Sequence, residues 1–108
     1  KDGAVIEYDY EFSDGALRIA RISNGEKRKE LLCAECGKIE SIAPLNTEDI
    51  KRMAETGERK IKDYSLNEDS RKYCVLCSVK NEKLAVIWEP KQSLLRLIRR
   101  EMPRSVTL

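Results

Sequence analysis

From Ile6 to Phe12 the chain alternates without interruption, with Ile6, Tyr8, Tyr10 and Phe12 on one face and Glu7, Asp9 and Glu11 on the other. Successive side chains of an extended chain point to opposite faces, so this stretch is a half-buried strand. The pattern repeats along the chain. Ser13-Asp14-Gly15 supplies a turn, and Leu17 and Ile19 return in a second strand that ends at Asn24-Gly25, a pair that accepts the positive φ of a hairpin turn. A third strand is expected over about Lys27 to Cys36, with Leu32, Ala34 and Cys36 on one side and Leu31, Cys33 and Glu35 on the other. Past Gly37-Lys38, Ile39 to Leu45 reads as a fourth, stopped by Pro44, which cannot donate to a ladder.

A helical signal follows. Asn46 or Thr47 can cap, Glu48 and Asp49 suit the first turn, Ile50, Met53 and Ala54 form a stripe, and Gly57 can end it, giving a short helix over about 47–56. Lys60 to Leu66 alternates again through Ile61 and Tyr64. The apolar runs Tyr73 to Val79 and Leu84 to Trp88 flank the polar turn Lys80-Asn81-Glu82-Lys83 as a last hairpin. Glu89-Pro90 then opens a closing helix over about 90–102, with Pro in the first turn and Leu94, Leu95, Leu97, Ile98 and Met102 as its apolar stripe, stopped by Pro103. The expectation is a mainly β, α+β chain: about seven antiparallel strands curled into a barrel or strongly bent sheet, with one inserted helix and one capping helix. At 108 residues it suits a single domain over 1–108.

All four cysteines fall into two Cys-x-x-Cys pairs, Cys33/Cys36 and Cys74/Cys77. Four thiolates close a tetrahedral zinc shell, and Cys33-Ala34-Glu35-Cys36-Gly37-Lys38 has the form of a zinc knuckle. The second pair lies inside a β-prone run with no Gly or Pro to shape a knuckle, and residues i and i+3 of a strand face opposite ways. The preferred expectation is therefore four small packed thiols and no cofactor. A structural zinc site at Cys33, Cys36, Cys74 and Cys77 is the alternative. The two expectations diverge for Cys33→Ser/Cys36→Ser, which would collapse a zinc module and only modestly weaken a packed thiol core.

Lys and Arg number 21 against 19 Asp and Glu, and a net charge of +2 argues against a dedicated nucleic-acid binder. Two basic groups remain as candidate surfaces: Lys27-Arg28-Lys29, and Arg96, Arg99, Arg100 and Arg104 on the closing helix and its exit, where guanidinium groups can hold phosphate oxygens in bidentate pairs. Read structurally, they are solvated faces of a hairpin and an amphipathic helix. The chain has no histidine, which removes His-based acid–base chemistry, His-paired nucleophiles and His-ligated metals. No Gly-rich phosphate loop is present, and an enzyme is not expected. No apolar run reaches the roughly 18 residues of a membrane span. Lys1-Asp2-Gly3 leads directly into the first strand with no export signal, so a cytoplasmic setting with reduced thiols is expected, the missing initiator Met suggesting that the natural chain begins upstream.

The run Ile6-Glu7-Tyr8-Asp9-Tyr10 with Asp14-Gly15, then Lys27-Arg28-Lys29, Ile39-Glu40-Ser41-Ile42-Ala43-Pro44 and Ile87-Trp88-Glu89-Pro90 ahead of Leu94-Leu95 and Pro103-Arg104, is similar to a family of small uncharacterised bacterial proteins. The order of strands with a C-terminal amphipathic helix resembles the pleckstrin-homology-like (PH-like) barrel. The resemblance implies a PH-like fold and no assigned activity. Lipid-headgroup binding through the first hairpin does not fit, because Ser13-Asp14-Gly15 flanked by Glu11 carries the wrong charge. The resulting expectation is a non-catalytic binding module that engages a protein, or a second copy of itself, at an open sheet edge or in the groove beside the last helix. Its rival is the zinc module, contacting protein or nucleic acid through Lys27-Arg28-Lys29.

Overall fold

A computed structural model describes residues 4–108; Lys1, Asp2 and Gly3, and the expectation that they lead straight into the first strand, lie outside the described residues. Strands β1 (Ile6–Ser13), β2 (Ala16–Ser23) and β3 (Lys27–Glu35) form an antiparallel meander. Its first turn is Asp14-Gly15, with φ of 53° and 72°, and its second holds Asn24 and Gly25 at 54° and 69°. These left-handed conformations match the twist of the flanking strands, which is why Gly and Asn stand there.

A 3-10 turn at Cys36–Lys38 ends the third strand one residue earlier than the alternation predicts and carries the chain to a second sheet. That sheet contains β4 (Ile39–Pro44), β5 (Lys60–Asp63), β6 (Tyr73–Val79) and β7 (Glu82–Trp88), in the order β4-β6-β7-β5. The two sheets, of three and four strands, do not close into a barrel. The fold is thus the bent PH-like α+β arrangement rather than its closed version. One pairing departs from the antiparallel expectation: β5 runs parallel to β7. Tight turns force antiparallel neighbours, but β5 follows a helix and precedes the long 64–72 connection, so no tight turn fixes its direction. It is also shorter than the alternation suggests, because Asp63 takes the backbone N–H and hydroxyl of Ser65 at 3.1 and 2.6 Å and bends the chain out of the sheet. The β6–β7 turn is only Lys80-Asn81, both at positive φ, and Glu82 and Lys83 belong to the strand.

Helix α1 (Thr47–Thr56) starts at Asn46, whose side chain accepts from the Asp49 N–H at 3.1 Å, and ends at Gly57 with φ of 73°. Met53 packs with Cys74 and Ala85 on the outer face of the second sheet, with Ile50 and Ile61 at the margin. Ala54, expected in the stripe, is exposed. Covering this face explains why β6 and β7 are apolar almost throughout rather than alternating. Arg59, the one buried charged residue described, sits just beyond. Its guanidinium donates to the carbonyls of Leu84 (3.0 Å) and Cys77 (3.5 Å) and to the Glu40 carboxylate, tying β4, β6 and β7 together.

Helix α2 (Gln92–Glu101) begins after Pro90, which lies outside the first turn where the sequence had suggested it. Leu95, Ile98 and Met102 close the space between the sheets against Leu17, Ile19, Tyr73 and Trp88. Leu97, expected in the stripe, is 38% exposed. Beyond the helix the chain lies along β4: the Ile42 N–H donates to the Ser105 carbonyl and the Thr107 N–H to the Ile42 carbonyl, each at 2.8 Å, with Val106 buried. Because Leu95 and Ile98 are wholly buried, Leu95→Ala or Ile98→Ala should each cost about 2–5 kcal/mol in chemical denaturation, whereas Leu97→Ala should cost about 0.5 kcal/mol or less.

Candidate functional site

Among the described residues strand β1 has a neighbour on one side only. Its turn to β2 is two residues long, so Ser13 and Ala16 face each other as a hydrogen-bonded pair, and the alternation then assigns the backbone of Glu11, Asp9 and Glu7 to β2. The Val5 carbonyl accepts from the Asn24 N–H at 2.7 Å, which continues the same alternation. The N–H and C=O groups of Ile6, Tyr8, Tyr10 and Phe12 therefore point away from β2, toward an unoccupied edge. Between Tyr8 and Tyr10, the 64–72 connection and the first turn of α2 runs an open groove of about 870 Å³, walled by Glu7, Asp9, Leu66, Asn67, Arg71, Tyr73, Glu89, Pro90, Lys91 and Leu94. Its size is ordinary for a ligand site.

The groove walls are fixed by aromatic and carboxylate contacts. Tyr10 meets Trp88 edge-on, with centroids 5.3 Å apart, and Tyr8 lies 5.8 Å from Tyr64. The Tyr10 hydroxyl donates to the Tyr64 carbonyl at 2.5 Å and accepts from the Glu89 N–H at 3.4 Å. Burial pushes that phenol up to about 12, so it stays a neutral donor. Glu89 organises the far wall: its carboxylate accepts from the N–H groups of Leu66 (2.8 Å) and Asn67 (3.4 Å) and from the Ser70 hydroxyl. Partial burial works to raise the Glu89 pKa, but these hydrogen bonds outweigh it and hold the group below its ordinary value. Arg71 lies over the Tyr73 ring, 5.3 Å from its centroid, and the Gln92 amide donates to the Tyr73 hydroxyl at 3.2 Å. Tyr73 and Trp88 are both buried in the core, Tyr73 lining the groove and Trp88 backing Tyr10.

The other candidate residues lie elsewhere. Cys77 packs in the main core and Cys74 in the smaller cluster under α1, on opposite faces of β6 as the spacing requires. Cys36 borders the main core, and the Cys33 sulfur accepts from Arg18 at 3.3 Å. Among the described residues no group of three or more Cys, Asp or Glu side chains is placed to hold a metal. Burial pushes the Cys74 and Cys77 thiols up to about 11, which leaves little thiolate for exchange chemistry. Lys27, Arg28 and Lys29 are exposed at the start of β3, with Arg28 paired to Asp9 at 2.8 Å. Arg96, Arg99 and Arg100 surround a shallow depression of about 410 Å³ beside Pro103 that shares no lining residue with the groove, and Arg104 is exposed.

Residues 3–108 match the family described as bacterial PH-like domain (DUF6106). The chain belongs to that family. No curated protein and no solved structure matches it. Membership in DUF6106 agrees with the resemblance read from the strand and turn pattern. In this DUF6106 chain no helix among the described residues is long and apolar enough to cross a membrane. The groove residues Leu66, Asn67 and Glu89 carried no sequence signal: Leu66 follows a strand that ends early, and Glu89 reads only as a helix-entry residue.

Glu89 gives the groove wall a pH dependence. A carboxylate held below its unfolded pKa stabilises the fold above that value and loses the contribution as pH falls through it. The thermal midpoint of the wild-type chain should therefore drop more steeply than that of Glu89→Gln once pH passes below the ordinary 4.5. Parallel acid limbs for the two proteins would show that Glu89 does not hold the wall.

Proposed function

We propose that this chain is a non-catalytic binding module of the cytoplasm that takes an extended segment of a partner protein as an added strand on β1. The observation that carries this reading is the coincidence of an unpaired strand edge with a groove. The outward backbone groups of Tyr8 and Tyr10 open into the same space as the apolar surfaces of Leu66, Pro90 and Leu94. Main-chain hydrogen bonds to an edge supply affinity, and pockets for alternate side chains supply selectivity. The other edges offer less. The edge of β4 is taken by residues 105–107, β5 is four residues long, and β3 opens with the exposed charges of Lys27 to Glu30. A PH-like fold hosts many roles, so it is this site and not the fold that supports the proposal.

The non-catalytic part of the reading is supported by the chain's chemistry. It contains no histidine, and its buried thiols are held protonated. All four cysteines are free thiols, consistent with a reducing compartment. Selection of random peptides on the wild-type chain is expected to enrich extended sequences that compete with one another, shift the amide resonances of Tyr8, Tyr10, Leu66 and Leu94, and lose binding to Leu66→Asp/Leu94→Asp. Enriched peptides that shift α1 or the arginines of α2 and leave β1 untouched would place the binding surface elsewhere.

A further inference from the structure

Strand addition at β1, as read above, also dictates what sequence can be added. A strand laid against β1 must place every second side chain beside Glu7, Asp9 and Glu11, because a period of two keeps each row on its own face. The intervening side chains fall on the row of Tyr8 and Tyr10, toward Leu66, which is 50% exposed, and the half-buried Leu94. One row of the incoming strand thus meets carboxylates and the other meets apolar surface. From this we infer that the ligand is an extended cationic peptide with Lys or Arg at alternate positions and apolar residues between them.

Three observations support the assignment. Arg28 reaches Asp9 from β3 and donates to its carboxylate at 2.8 Å, so the acidic row already holds a guanidinium supplied from another strand of the sheet. Arg71 and Lys91 stand on the far wall of the groove, and the Glu89 carboxylate there is already taken up by Leu66, Asn67 and Ser70, so a basic side chain on the inner row would meet two cations and one committed carboxylate. Alternation, and not basic character alone, is therefore selected. Finally, a second copy of β1 is a poor occupant. Every register that keeps the tyrosine row facing inward sets carboxylate against carboxylate, a like-charge arrangement that disfavours pairing. The basic start of β3 in another copy does not substitute, since Lys27, Arg28, Lys29 and Glu30 offer no apolar residue between the charges.

The test is an anisotropy titration of three labelled peptides of equal length, with the bound site mapped by amide shifts on the wild-type chain. One alternates Lys with Val, one alternates Glu with Val, and one has the composition of the first with its lysines in a block. The alternating Lys peptide should bind on the order of tenfold tighter than the Glu peptide and the block peptide, and should shift Ile6, Tyr8 and Tyr10. Against Glu7→Lys/Glu11→Lys, two exposed substitutions, the preference between the Lys and Glu peptides should reverse. Equal binding of the Lys and Glu peptides at β1 would overturn the charge assignment and leave strand addition standing. Equal binding of the block peptide would reduce it to general attraction of a polycation. Peptides that bind without shifting β1, peptides that do not bind at all, or a wild-type dimer joined through β1 would overturn both readings.

Discussion

The two sheets share no hydrogen-bonded strand pair among the described residues, so they are held chiefly by apolar contact between their inner faces, with the Tyr10 hydroxyl bridging to Tyr64 and Glu89. The largest fully buried side chain in that contact is Trp88. Trp88 ends β7 fully buried, takes the edge of Tyr10 from the first sheet, and lies with Leu95 and Ile98 of α2 in one cluster. Non-directional burial is well suited to this task, because it does not require strands to meet in register. It also has a structural consequence. A barrel closed by hydrogen bonds has no edges, whereas two sheets pressed together keep theirs, and each must be covered, guarded or used.

The edges are treated unequally. Residues 105–107 lie on β4, short length limits β5, and lysines guard β3, while β1 is left facing a groove whose walls are braced by Tyr10, Glu89 and the 64–72 connection. The acidic row of β1 has two physical effects at once. It discourages pairing of identical chains and favours a strand of opposite charge. Selectivity of this kind combines an attractive contact with a repulsive one.

Most of the fold was legible in the residues because its signals are local. The alternation from Ile6 to Phe12, the left-handed turn residues Asp14, Gly15, Asn24 and Gly25, and the Asn46 cap with its Gly57 stop each act within a few positions. The parallel pairing of β5 was not legible, since it depends on where a helix and a long connection deliver the strand. Ala54 and Leu97 have the right spacing for a buried stripe but stay partly open to solvent, which sequence period cannot reveal. The groove was foreseeable in kind, as an open edge beside the last helix, but not in membership. Leu66 and Glu89 enter it through contacts between segments more than twenty positions apart. For the cysteines, spacing and strand context pulled in opposite directions, and in the structure the two sulfurs of β6 follow the strand.

The central claim is that β1 keeps a free edge ready for a partner strand. Residue-resolved hydrogen exchange on the free chain tests it most directly. Amides of Glu7, Asp9 and Glu11, which bond to β2, should be protected, and those of Tyr8 and Tyr10 should exchange rapidly, giving an alternating profile along one strand. Uniform protection from Glu7 to Glu11 in a chain shown to be monomeric would mean that the edge is already covered, and would contradict the account.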